Sequence, residues 1–320
     1  MRPPRDAMKV GTRTVDPQRL AALESTLRDS SFPPQVIIEI TNGCNLRCPM
    51  CDHGTMTRVP AIMDDALYDK IVEEIGREAP QTRVWMSFYG EALLTKDRLW
   101  SFLRRGRQAG LRDITLNTNG TLLNDARIER LLHDGPDRVI FSIDGLLPET
   151  FERCRAGARH AEVYANVAKV IRGAQANGGR PEVVVQIIDM PDTHPEIPAF
   201  VEYWTGLGAT VKVKELLGWT GAAVELPAGA DHRIPCPWVM TTFPITVIGE
   251  AVLCGVDYDA KVPIGNVRNQ TIRELWATHR QYRRIHMQRR WDDLPDLCMG
   301  CTDWCVVGAR TYEPIGTQKR

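Results

Sequence analysis

The stretch QVIIEITNGCNLRCPMC, Gln35 to Cys51, carries the two signals from which the rest of the chain can be read. Gln35 to Thr41 is β-branched and apolar, the composition of a buried strand. It runs directly into Cys44, Cys48 and Cys51, three thiols within eight residues. In α/β folds the chemistry gathers at the carboxyl ends of parallel strands, and this strand delivers its cysteines there.

The alternation persists downstream. A helix is expected from about Asp64, where Leu67, Ile71 and Ile75 recur at helical spacing. Strands are expected at RVWMSF (from Arg83), DITLNT (from Asp113), RVIFSI (from Arg138), EVVVQII (from Glu182) and VKVKEL (from Val211). Helical segments such as DRLWSFLRRGRQAG and EVYANVAKVIRGAQANG separate them. Six such units in series predict an α/β fold with a parallel sheet and helices outside, a partial (β/α)6 barrel. From about Cys236 the pattern changes. ITVIGEAVLCG reads as a β-hairpin turning at Gly249 and Glu250, followed by a helix, TIRELWATHRQYRRIHMQRR, and the cysteine-rich CMGCTDWC. Gly221 to Arg233, rich in Gly, Ala and Pro, marks the expected boundary. The organisation is then an N-terminal extension (1–34), a barrel (35–220) and a C-terminal unit (221–320).

The bulk properties fit this plan. The 320 residues are 25% charged and 43% hydrophobic, enough for a large core. Forty basic residues balance forty acidic ones, so no global charge favours nucleic acid or an anionic membrane as partner. No apolar run has the length of a membrane span, and MRPPRDAMKVGTRTV lacks the apolar segment of a secretory signal, so a cytoplasmic protein is expected. Nine cysteines in a reducing compartment are poor disulfide material. Apart from Cys154 they fall into two groups, which suggests two metal sites.

Structural zinc takes four closed ligands, commonly as two Cys-x-x-Cys pairs, and the Cys44–Cys48–Cys51 spacing matches that poorly. Three cysteines on an iron–sulfur cubane leave one iron open to another ligand. CNLRCPMC resembles the cluster signature of the radical S-adenosylmethionine (SAM) enzymes, in which the open iron chelates SAM, although Met50 stands where the family usually has an aromatic. SFYGEALL is similar to the family's Gly-Gly-Glu-Pro turn, with Tyr89 and Ala92 as departures; the resemblance assigns Glu91 to the SAM amino group beside Gly90. It likewise implies SAM contacts for Asn117 and Asn119 in NTNGTLL, and for Ser142, Asp144 and Arg155 at the end of the fourth strand and just beyond. In that resemblance Arg155 would be a bidentate partner for the methionine carboxylate.

Cys236, Cys254, Cys298 and Cys301 resemble the twitch form of the SPASM extension, a hairpin-plus-helix unit holding one auxiliary [4Fe–4S] cluster. IGNVRNQTIRELW also resembles its conserved segment. By spacing alone these four could equally bind zinc. Cys305 is left over, as a substitute ligand, a buried small hydrophobe or a working thiol; Cys154 reads as packing.

On the sixth strand Lys212 and Lys214 share one face and Val211 and Val213 the other. With helices over the valines, the lysines project into the barrel near SAM or substrate; an exposed edge strand is the alternative. Asp189 and Glu215 are weaker candidates for gripping a cationic substrate, and the histidines of DMPDTH and ADHR read as surface residues. Only 43 residues precede Cys44, which favours a free small molecule over a leader-bearing peptide. The resemblance points to oxidation of an amino-sugar or aminocyclitol alcohol in antibiotic biosynthesis, as in the 2-deoxy-scyllo-inosamine dehydrogenases. It implies SAM, two [4Fe–4S] clusters and a flavodoxin- or ferredoxin-type electron donor. The alternatives are an amino-sugar epimerase with Cys305 or Cys154 as hydrogen donor, and a non-catalytic zinc protein using the basic face of its last long helix.

Overall fold

The computed structural model describes residues 17–217, 233–305 and 310–315. Six parallel strands form its centre: β1 (Gln35–Ile38), β2 (Arg83–Trp85), β3 (Asp113–Thr118), β4 (Arg138–Ser142), β5 (Glu182–Asp189) and β6 (Thr210–Glu215). After a short N-terminal helix α1 (Pro17–Thr26), the helices α2 (Asp65–Glu78), α3 (Asp97–Gln108), α4 (Asp125–His133), α5 (Pro148–Cys154), α6 (His160–Ala176) and α7 (Ile197–Gly206) lie between them. Local sequence sets their starts. Asp64 accepts from the Leu67 amide to open α2, and Asn124 accepts from the Arg127 amide to open α4. Each helix buries an apolar stripe, such as Leu99, Trp100, Phe102 and Leu103 on α3, against the outward faces of the strands.

The C-terminal segment extends this sheet at both edges. A short helix, α8 (Pro237–Thr241), leads into β7 (Thr242–Ile245), which pairs parallel to β1 with Val36 opposite Phe243. β8 (Glu250–Val252) and β9 (Pro263–Asn266) follow antiparallel, giving the expected hairpin. α9 (Ile272–Met287), opened by a capping box between Thr271 and Glu274, packs Leu275 and Trp276 into the main core. After α10 (Asp296–Met299), β10 (Arg310–Tyr312) pairs antiparallel with β6. The order is β10-β6-β5-β4-β3-β2-β1-β7-β8-β9, so β6 is not the edge strand its sequence position suggests.

One further expectation changes. The basic face of α9 is not simply solvated: Arg283, His279 and His286 are buried, with the Arg283 guanidinium 3.7 Å from the Trp276 ring centre and ion-paired to Asp29. Trp276 lies two turns back on the same helix, but Asp29 is far away in sequence and so invisible to local charge patterning. Nearly all of Gly221 to Arg233, including the histidine of ADHR, lies outside the described residues.

Candidate active site

Beyond β1 the chain folds back as a loop that places Cys44, Cys48 and Cys51 on the wall of one cavity of about 940 Å3. The loop is fixed by its own backbone and by neighbours. The Cys51 amide donates to the Cys48 carbonyl, and the Arg47 amide donates to the carbonyl of Ala156, just after Arg155. Its far side is anchored by Arg58, whose guanidinium forks onto the buried Glu39 at 2.5 and 2.7 Å. Burial pushes the Cys44 thiol up to about 11, so metal binding there must displace a proton.

The turn after β2 meets this loop from below. Gly90 has no room for a side chain, because a Cβ would stand 2.1 Å from the Thr41 carbonyl oxygen, and the next amide, Glu91, donates to the Gly43 carbonyl at 2.8 Å. The fully buried Glu91 carboxylate accepts from the Leu93 and Asn119 amides and from the Thr118 hydroxyl. Burial raises its pKa against the pull of those donors. Asn119 also donates from its side chain to Asn45, inside the cysteine loop, at 3.0 Å. The departure at Tyr89 has a use: its hydroxyl donates to the Gly255 carbonyl at 3.2 Å, tying the β2 turn to the segment after Cys254.

Asn117, Ser142 and Arg155 line the same cavity. Asp144 does not. It is fully buried at a positive φ of 52°, accepts from the Ile188 amide with one oxygen and holds Arg155 with the other. Burial opposes the charge of Arg155, but Asp144 and Cys48 outweigh it and the net shift is upward. The guanidinium stands 3.7 Å from the Cys48 sulfur.

Lys212 and Lys214 reach the cavity from β6, while Val211 and Val213 are buried in the core behind them. Burial lowers Lys212 to about 7, helped by Lys214, Arg138 and Arg83, and lowers Lys214 as well. Asp189 and Glu215 do not line the cavity; Asp189 lies at the surface between His194 (2.7 Å) and Arg310 (2.8 Å).

A second, narrow cavity is walled by Cys236, Cys254, Cys298 and Cys301. Burial pushes Cys236, Cys298 and Cys301 up to about 12 and Cys254 well above its usual range. Cys305 does not line it: its thiol donates to the Thr302 carbonyl at 2.8 Å. Cys154 is buried at the end of α5 and lines neither cavity. Among the described residues no three Cys, His, Asp or Glu side chains converge closely enough for a single metal ion. Three thiols around one space and four around another are donor sets of the kind that hold iron–sulfur clusters.

Residues 38–203, more than half of the chain, match the family model of the Radical SAM superfamily. The chain belongs to that superfamily. Residues 236–302 match the SPASM iron-sulfur cluster-binding domain. The chain is 28% identical to the tungsten-containing aldehyde ferredoxin oxidoreductase cofactor-modifying protein of Pyrococcus furiosus, over 59% of this chain and 53% of that one. It therefore spans about half the length of that relative. It is 22% identical to the S-adenosyl-L-methionine-dependent 2-deoxy-scyllo-inosamine dehydrogenase of Niallia circulans over 87% of this chain and 96% of the relative. A crystal structure of BtrN in complex with AdoMet and 2-DOIA superposes with a TM-score of 0.62, at 22% identity, over 86% of this chain and 94% of that one. The radical SAM barrel and SPASM domain bring SAM and two [4Fe–4S] clusters as cofactors.

In this radical SAM protein the two cavities are neighbours. Trp238, two residues after Cys236, lines both, and sequence reading passed over it because an isolated tryptophan carries no periodic or motif signal. His286 lies on the basic face of α9, yet its Nδ1 accepts from the Cys236 amide at 3.4 Å. Its low pKa of about 4, caused mainly by burial, keeps that nitrogen free to accept. Among the described residues no helix is long and apolar enough to cross a membrane.

Proposed function

We propose that the chain is a radical SAM dehydrogenase that oxidises a secondary alcohol of a small cyclic polyol, of the amino-sugar or aminocyclitol kind, to a ketone. In this reading Cys44, Cys48 and Cys51 hold the first cluster. Gly90, Glu91, Asn117, Asn119, Ser142 and Arg155 receive SAM, with Asp144 as the brace of Arg155. Cys236, Cys254, Cys298 and Cys301 hold a single auxiliary cluster, the twitch arrangement. The bound cofactors supply a 5′-deoxyadenosyl radical that removes hydrogen from an unactivated carbon.

The chain's own tasks are to orient the alcohol, exclude water and other hydrogen donors, and accept the hydroxyl proton. Lys214, lowered by burial and on the cavity wall, is the proton acceptor. Loss of one hydrogen atom, one electron and one proton balances alcohol against ketone. The observation that carries the reading is Trp238: one side chain stands between the substrate cavity and the auxiliary thiols, so the second electron has a short path out. The Niallia circulans relative, alike along nearly its whole length, supports the same reaction class.

Epimerisation would need a thiol facing the substrate. Among the described residues the thiols on the large cavity are Cys44, Cys48 and Cys51, all assigned here to the cluster. The test is anaerobic turnover in heavy water with candidate cyclitols and sugars. A ketone formed in step with 5′-deoxyadenosine supports the reading. An isomer carrying deuterium at carbon overturns it.

A further inference from the structure

We infer that the floor of the large cavity is an oxyanion subsite, in which Lys212 and Gln186 hold a carboxylate or phosphoester group of the substrate. The inference deepens the proposed function and rests on reading this cavity as the substrate's.

The charges on the cavity wall do not balance. Arg155 is matched by Asp144, and Arg83 by Asp113 at 2.8 Å. Arg47 stands exposed, donating to the Cys44 and Leu46 carbonyls. Glu91 is the one carboxylate among the described lining residues, and its oxygens already take three donors. Lys212 and Lys214 have no hydrogen bond or ion pair among the described residues. A polycationic amino sugar would thus meet two lysines and, among the described lining residues, no carboxylate beyond the already engaged Glu91, since Asp189 and Glu215 do not line the cavity.

Depth separates Lys212 from the cofactor. It lies three residues before the end of β6, about 10 Å below the strand ends where the cysteine loop sits, at 3.3 Å per residue. Gln186 is its register partner on β5, and both line the cavity. The Lys212 Nζ lies 5.4 Å from the centre of the Trp85 ring, an apolar neighbour that removes water without supplying a counter-charge. An oxyanion seated here would restore the charge that burial withdraws, with Gln186 donating the second hydrogen bond. The other cations facing Lys212 are Lys214 on its own strand, Arg83 on β2 and Arg138 on β4; Arg83 and Arg138 are already paired with Asp113 and Glu182, so Lys214 is the neighbour that adds to the attraction for an anion.

The experiment is calorimetric titration of the SAM-loaded holoenzyme with inorganic phosphate and, separately, acetate, using wild type, Lys212→Met and Lys212→Arg. Saturable binding to wild type is expected, at least tenfold weaker in Lys212→Met and retained in Lys212→Arg. Binding at pH 8 should also take up protons, seen as heat that scales with the buffer's ionisation enthalpy, and the methionine variant should lose this. A preference for phosphate identifies a phosphoester source, and a preference for acetate a carboxylate. Absence of saturable binding, or equal binding by Lys212→Met, overturns the subsite. So does a Lys212→Met variant that loses SAM affinity in step with the anion, because the lysine then serves the cofactor. If anions bind as expected but no alcohol is oxidised, the subsite stands and the dehydrogenase reading falls.

Discussion

A Cβ placed on Gly90 would stand 2.1 Å from the carbonyl oxygen of Thr41, so the turn after β2 and the start of the cysteine loop are in backbone-to-backbone contact. The clash is with main chain and cannot be relieved by rotating a side chain. Gly90→Ala should therefore cost roughly 1–3 kcal/mol by overpacking and push the loop away from its neighbours. Reconstituted protein should lose about half of its roughly eight irons, those of the first cluster, while the second remains. Iron analysis and the spectrum of the residual cluster measure this. Full iron content in the variant would show that the loop tolerates the shift.

The buried pair Asp144 and Arg155 invites a different test. Asp144→Asn keeps an oxygen for the Ile188 amide but leaves Arg155 without its counter-charge. Breaking a buried pair from one side costs on the order of 3 kcal/mol. The variant should unfold at lower denaturant. It should also bind SAM at least tenfold more weakly, because the guanidinium beside Cys48 is no longer aimed. Unchanged SAM affinity in equilibrium binding would remove Asp144 from the site.

What could be read from the chain depended on whether the signal was local. The strand before Cys44, the alternation of Val211, Lys212, Val213 and Lys214, and the Asp64 cap are settled by residues within a few positions of one another. The strands that precede Glu91 and Asn119, and the one that ends at Ser142, were legible for the same reason. Asp144 looked like one more polar residue of the site; only the fold turns it inward, at positive φ, to brace Arg155. Equally hidden were the pairing of β7 with β1 and of β10 with β6. No local pattern states which strand a distant segment will join, and the second pairing decides that β6 is interior. Trp238 and His286 matter through contacts with elements that fold against them from elsewhere.

Lys212 makes stability depend on pH in a definite direction. Its pKa falls from 10.5 to about 7, chiefly through burial. Below about pH 7 the ammonium is charged folded and unfolded, and the whole desolvation penalty is felt. Between about 7 and 10.5 the unfolded chain binds a proton that the folded chain does not, so stability rises with pH. Lys212→Met should therefore stabilise the anion-free protein, more at pH 6.5 than at pH 9.5, by urea denaturation. An equal difference at the two pH values would mean that the ammonium is hydrated in the folded state.

Cys301 and Cys305 are four residues apart; Cys305 is buried and Cys301 partly so, but only Cys301 faces the second cavity. Cys301→Ala should lose the spectrum of the auxiliary cluster, since a thiolate ligand is removed and metal binding is part of what holds that region folded. Cys305→Ala gives up a weak S–H donor to the Thr302 carbonyl and a little packing, roughly 1 kcal/mol, and should keep both clusters. It should also keep turnover, which a thiol returning hydrogen to the substrate could not survive losing. Loss of the auxiliary cluster in Cys305→Ala would make that thiol a ligand. Intact clusters with no product would instead revive epimerisation through it.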